Sequence, residues 1–390
     1  MKLTRKKSCL IIYALFFAIF KPYFLPTNMQ QGIKILIIMW CLFLIAIKMK
    51  PIRWINISLL YSGIIAISSY IAYKNNYVSQ STLLDGIFYS ICIYVVYTIF
   101  EYLCKKENIE YIMACILDVS GLYAVLTILS LFKPLYIDDS GLSVYLFGNK
   151  FLSSYYLLFF LMTFYSVYNI KIKNNYTWRI RFLFLALICL LFTVGAKCST
   201  GAIATILIII SLFVPDKDKI KRVLKSPWIV MGSMVASALF PTFMTVIMNN
   251  SIVRYIVVQV FHESVDLNFR NVIYNNHIFQ LISKSFWYGY GYNNTMMLDK
   301  TNQVFSNAQN ALLEIILRFG SIGAIILVIT VLYCFCKGAK SDCIEGYVWL
   351  TYIYIIIGMV EVSYSWCFIL SIFLVRWGSK TRNNSVIEYD

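Results

Sequence analysis

Charge is what this sequence has least of. Asp, Glu, Lys and Arg make up 13% of its 390 residues and 60% are hydrophobic, whereas an ordinary soluble domain is roughly a quarter charged and half apolar. A soluble enzyme is thereby excluded. Acidic residues are the scarcer sign, 18 against 34 basic, for a formal net charge of +16. The basic residues interrupt apolar runs of roughly 15–25 residues, the length that spans a hydrocarbon core, so the charge belongs to membrane topology and no nucleic-acid partner is expected. Histidine occurs only twice. The one local cysteine cluster, Cys334, Cys336 and Cys343, has C-x-C spacing but lacks the histidines of a structural zinc site, so no metal and no cofactor are expected. The 11 cysteines are odd in number and lie mostly in apolar spans or basic loops, which leaves no legible disulfide framework. Gly-x-x-x-Gly pairs are few and no internal repeat is found, which argues against an inverted-repeat transporter.

What is present is a series of about twelve apolar stretches, at 8–25, 33–47, 54–73, 83–103, 109–132, 151–170, 180–196, 199–214, 227–249, 310–336, 347–361 and 364–377. The expected fold is an all-α polytopic membrane protein. The second, eighth and last stretches are short enough to be tilted, re-entrant or broken. With the N-terminus in the cytoplasm, one side collects 23 of the 34 basic residues, among them Lys48, Arg53, Lys105, Lys106, Lys171, Lys173, Arg179, Arg181, Lys225 and Lys337. The positive-inside rule then puts both termini in the cytoplasm. The basic start and apolar stretch from Cys9 to Phe20 resemble a signal peptide, but Lys21-Pro22 stands where small cleavage residues are wanted, so an uncleaved first span is expected. Three regions follow: spans one to nine over 1–249, an outer loop over 250–309, and spans ten to twelve with a cytoplasmic tail over 310–390.

The loop of roughly sixty residues carries both histidines, His262 and His277, with Glu263, Asp266, Arg254, Arg270, Lys284 and the run Trp287-Tyr288-Gly289-Tyr290-Gly291-Tyr292. A helix over 255–283 would put His262, Asp266, Arg270, Tyr274 and His277 on one face. An exposed i,i+4 ion pair between Asp266 and Arg270 is the plainer account of those charges. The aromatic-glycine run reads either as an interfacial anchor or as a surface for sugar rings. Within the spans, Glu314 and Arg318 are four apart in the acid-first order of a structural ion pair, and Asp118 and Glu361 would form a proton relay only as neighbours.

The order Asn268-Phe269-Arg270-Asn271-Val272-Ile273-Tyr274, then Gly289-Tyr290-Gly291, then Asn307-Ala308-Gln309-Asn310-Ala311-Leu312-Leu313, then Phe319-Gly320-Ser321-Ile322-Gly323 resembles the outer-loop signature of Wzy-type O-antigen or capsule polymerases and O-antigen ligases. Upstream, Gly148-Asn149-Lys150 and Gly195-Ala196-Lys197-Cys198-Ser199-Thr200-Gly201-Ala202 echo the same family, and together the likeness covers about half the chain. Two positions depart from the pattern. Thr200 stands where the family often has an arginine, and Gln309 where ligases usually carry the histidine regarded as the activating base, which argues against ligation to lipid A core.

The resemblance implies a GT-C-like bundle in a bacterial plasma membrane, acting on an undecaprenyl-diphosphate-linked oligosaccharide. Its implied partners are membrane lipid and a chain-length regulator and flippase of the same pathway. The diphosphate is already a good leaving group, so catalysis depends on cations that hold it and on placement of the acceptor hydroxyl. Arg270 is the expected diphosphate ligand, with Lys197 and Arg254 in support and Lys284 behind them. His277, then Glu263, Asp266 and His262, are the candidates near the hydroxyl. Asn149, Gln309 and Asn310 would orient sugar or phosphate. A lipid-linked oligosaccharide flippase is the alternative of a different class, and it predicts an inner cavity lined by charges from many spans.

Overall fold

The computed structural model describes residues 5–20, 22–49, 55–137, 143–211, 218–248, 250–255, 258–259, 273–301, 307–339 and 343–378. It is an all-α polytopic architecture. The helices are α1 (Arg5–Ile19), α2 (Thr27–Lys48), α3 (Ile57–Lys74), α4 (Gln80–Lys106), α5 (Ile109–Leu129), α6 (Lys150–Asn174), α7 (Tyr176–Gly195), α8 (Ser199–Ser211), α9 (Asp218–Leu224), α10 (Pro227–Met248) and α11 (Ser251–Tyr255). A π-turn at Tyr274–Ile278 leads into α12 (Phe279–Lys284), followed by α13 (Met296–Thr301), α14 (Ala311–Gly338), α15 (Glu345–Ile357) and α16 (Trp366–Trp377). Among the described residues, seven helices are long and apolar enough to cross a membrane: α2 to α7 and α14.

Short polar side chains start these helices. Asn56, Ser79, Asn149, Asn175 and Asn310 each accept a backbone N–H of the first turn, a cap contributing about 1 kcal/mol apiece. Asn175 also ends α6, so one residue turns the chain from α6 into α7. The centre is built from α6, α15 and α16, where Tyr354 Oη donates to the Tyr155 carbonyl at 2.7 Å and Tyr347 Oη bonds Thr163 Oγ1 at 3.1 Å. At the periphery, α2 and α7 turn Leu36, Phe43, Phe184 and Leu191 outward, each more than half exposed. Helices apolar on the outer as well as the inner face suit lipid, not water.

Helix ends meet in two separate sets. In one, Tyr23 N–H donates to the Leu146 carbonyl at 2.9 Å, Lys150 Nζ to the Lys197 carbonyl at 2.7 Å, and Asn310 Nδ2 to the Met359 carbonyl at 3.2 Å. In the other, Ser8 Oγ donates to Glu107 Oε1 at 3.1 Å, Lys173 pairs with Glu345 at 2.6 Å, and Tyr352 Oη donates to the Leu224 carbonyl at 2.9 Å.

Several expectations are corrected here. The second stretch forms a full-length helix because its first turns carry Asn28, Gln30 and Gln31, polar residues that periodicity of apolar ones does not count. A two-stranded antiparallel hairpin, β1 (Tyr136–Ile137) with β2 (Ser143–Val144), precedes α6. The described part of the expected 255–283 helix holds a π-turn at Tyr274–Ile278, which shifts the spacing on which one shared face depended. Among the described spans, α14 is broken at Gly320 and α6 is kinked at Tyr168.

Candidate functional site

Gly320 interrupts α14 with φ 68° and ψ −178°, a conformation essentially restricted to glycine. The break deprives the Leu317 and Arg318 carbonyls of their helical partners, Ser321 and Ile322. Polar backbone at membrane depth must be satisfied inside the protein, and the aromatic-glycine run does this. Tyr290 and Gly291 N–H donate to the Leu317 and Arg318 carbonyls at 2.9 and 2.8 Å, while Ser321 and Ile322 N–H donate to the Phe286 and Trp287 carbonyls at 2.8 and 3.4 Å. Ser68 Oγ of α3 donates to the Tyr288 carbonyl and also reaches that of Arg318. Gly289, at φ 69°, could take no side chain, since a Cβ would come within 2.6 Å of the Arg318 backbone. The run is therefore a plug as well as a surface feature. Tyr290 is buried while Phe286 and Trp287 remain exposed.

Directly above the break, α14 carries an ion pair, Arg318 Nε to Glu314 Oε1 at 2.5 Å. The second Glu314 oxygen accepts the Ala308 N–H at 2.8 Å. Arg318 lies eight residues inside the Asn310 cap, about 12 Å along the helix, yet 28% of its side chain is accessible. Its guanidinium stands 5.8 Å from the Tyr292 ring centre. Tyr292 stacks on Tyr89 at 4.6 Å, and Tyr89 meets Trp366 edge-on at 5.3 Å. Trp366 lines a cavity of about 380 Å³ together with Phe20, Tyr23, Phe147, Leu152 and Cys367. Burial pushes the Tyr292 phenol up, with Arg318 opposing, and pushes that of Tyr290 up to about 12, with Tyr77 beside it. Both phenols are neutral donors at physiological pH and not bases.

Asn149 caps α6 through Leu152 N–H, and Lys197, at φ 53°, turns α7 into α8. The Lys150–Lys197 contact joins the two upstream segments, 148–150 and 195–202, at one rim. Gln309 takes φ 49°; its amide donates to Asn307 Oδ1 at 2.9 Å, and its carbonyl accepts from Tyr274 Oη at 2.8 Å. Asn310 is fully buried. Its Oδ1 accepts Leu313 N–H at 3.0 Å, and its amide nitrogen donates to the Ser237 and Met359 carbonyls at 2.8 and 3.2 Å. With both amide hydrogens taken up internally, its role is architectural. Arg254 is exposed in α11, His277 is half-buried in the π-turn, and Lys284 ends α12. His262, Glu263, Asp266 and Arg270 lie outside the described residues. Asp118 faces Tyr13 of α1, whereas Glu361 sits in the link between α15 and α16.

The ion pair expected from an acid four residues ahead of Arg318 is formed, whereas the break at Gly320 and the docked aromatic run beside it had no local signal in the sequence. No protein-family model and no curated protein matches this sequence.

Proposed function

We propose that this protein is a polysaccharide polymerase of the Wzy type, acting at the outer face of a bacterial plasma membrane. On this reading the chain crosses twelve times as a GT-C-like bundle, both termini are cytoplasmic, and the 250–309 loop is outside. The growing glycan passes from its undecaprenyl diphosphate to the terminal sugar hydroxyl of a new lipid-linked repeat unit. The anomeric carbon–oxygen bond to phosphate breaks, a glycosidic bond forms, and the hydroxyl proton leaves with a base or the departing diphosphate. Arg270, Lys197 and Arg254 hold the diphosphate, His277, Glu263 or Asp266 takes the hydroxyl proton, and Asn149 and Gln309 orient the glycan.

The observation that carries this reading is the pairwise meeting of signature-like segments: 148–150 joins 195–202 through Lys150 and Lys197, and 289–291 docks on the broken helix at 317–322. Two sets of helix ends, segregated as an alternating topology requires, support the twelve crossings. A polymerase needs that combination, since the substrate is an amphiphile with its glycan outside and its anion at the interface.

Arg270→Ala is the direct test. The variant is expected to insert normally but to accumulate single-repeat lipid-linked glycan, with elongation down about 100-fold, the loss typical of removing one preorganised charge-stabilising group. A normal ladder on a gel of extracted glycan would remove Arg270 from the mechanism.

A further inference from the structure

We infer that the outward face of α1 and α5 is a docking surface for a membrane-spanning helix of another protein, one that carries a Lys or Arg near its middle to pair with Asp118. The helix α5 is an apolar span, Ile109–Leu129, of 21 residues, and Asp118 is the tenth of them. At 1.5 Å per residue it lies about 14 Å from the start, near the midplane of a hydrocarbon core about 30 Å thick. Its side chain is exposed. Leu122, Val125 and Leu129, which follow it along one stripe at spacings of three and four, are exposed as well, so the stripe faces out of the bundle. Acids at membrane depth almost always face the bundle interior, a water-filled cavity or an opposite charge. Asp118 does none of these within the chain: among the described residues, no ion pair includes it.

The carboxylate is nevertheless held in place. At the shared start of α1 and α5, Tyr111 Oη donates to the Arg5 carbonyl at 2.9 Å, and about two turns further along both helices the Tyr13 hydroxyl donates to Asp118. An ionised carboxylate has two oxygens and room for about four donors, so a single phenol leaves most of it open to a cation. Leu10 and Tyr13 of α1 are exposed beside the α5 stripe and widen the face to two helices. Charge complementarity decides the occupant. A two-fold contact with a second copy would set acid against acid at one depth. The exposed Lys and Arg side chains of the described residues, such as Lys106, Arg181 and Lys337, lie within two turns of a helix end, so a second copy brings no cation to the midplane by any other face. The cation therefore comes from a different chain, and polar contacts of this kind join helices in lipid. The surface goes beyond the polymerase reading and does not rest on it.

The probes are polyleucine peptides of about 23 residues, long enough to span, with Lys at the centre, Lys near one end, or no Lys. Each carries an acceptor fluorophore and is titrated in phosphatidylcholine vesicles against the full-length protein, which carries a donor on a carboxy-terminal tag. The Lys-centred peptide is expected to associate with the wild type at least about tenfold more tightly than the other two, the scale of one interhelical polar pair in lipid. A Lys-centred peptide that associates no better than the Lys-free one, or no better than the end-substituted one, overturns the inference without any variant. Asp118→Asn keeps the volume and loses the charge. It should bring the Lys-centred peptide to within about twofold of the Lys-free one, while Asp118→Glu should keep the preference. An Asp118→Asn variant that melts like the wild type and retains the full preference overturns the assignment to Asp118. Mixing donor-labelled with acceptor-labelled protein tests the other occupant: no self-association through this face is expected, and self-association that Asp118→Asn abolishes would give the face to a second copy and overturn the inference.

Discussion

Replacing Gly320 with alanine is expected to undock the 286–292 run from α14 and to abolish function. The backbone conformation at Gly320 costs a residue with a Cβ about 1–3 kcal/mol. The added methyl also overlaps the Trp287 carbonyl, a backbone atom that cannot rotate away. Relief requires the run to withdraw, which removes four backbone hydrogen bonds; α14 can then close on itself, but the Phe286 and Trp287 carbonyls and the Tyr290 and Gly291 N–H groups lose their partners. Each buried polar group without a partner costs about 1–3 kcal/mol. The expected outcome is a protein that inserts, melts several degrees lower and is cut rapidly by added protease near Trp287, with elongation below about 1% of wild type, since roughly 3 kcal/mol corresponds to a hundredfold. Wild-type melting and protease resistance in Gly320→Ala would show that the run does not depend on the break.

Asn310→Ala carries the second large effect. Pro241 lies four residues after Ser237 within α10 and has no N–H, so the Ser237 carbonyl lacks its helical donor, and Asn310 Nδ2 supplies one at 2.8 Å. The same amide ties down Met359, and Oδ1 caps α14. Alanine removes the cap, worth about 1 kcal/mol, and strands two buried carbonyls at about 1 kcal/mol or more each, for a loss of about 3–5 kcal/mol. Aspartate is the sharper probe because it caps as well as asparagine but cannot donate. If capping were the whole role, Asn310→Asp would be silent. It is expected instead to be at least as unstable as the alanine variant in detergent melts, because a carboxylate then faces two carbonyl oxygens.

The apolar runs were legible because lipid-facing and core-facing positions are both hydrophobic, and each of the twelve stretches coincides with a helix. Their ends were less so. Lys21-Pro22 marks the exit from α1, but Gln30 and Gln31 hide the true start of α2, whose Gln30 amide binds the Pro22 and Leu25 carbonyls. The break in α14 was illegible for a different reason. Leu-Arg-Phe-Gly-Ser-Ile-Gly at 317–323 has the composition of an uninterrupted span, and what allows Gly320 to leave the helix is a backbone partner some thirty residues upstream. Gly289 and Gly291 signalled a turn, but no local rule says where a turn will dock. The same distance explains Asn310, which as a helix-opening polar residue looked free for substrate, while its partners lie in α10 and beyond α15.

The central claim is that this chain joins lipid-linked repeat units. Its most direct test is purified protein in vesicles of neutral and anionic lipid, supplied with an undecaprenyl-diphosphate-linked oligosaccharide and no other enzyme. New glycosidic bonds, seen as products of two, three and more repeats with release of one undecaprenyl diphosphate per bond, are the predicted result. Translocation of the substrate across the vesicle without any lengthening would contradict it and establish the flippase alternative.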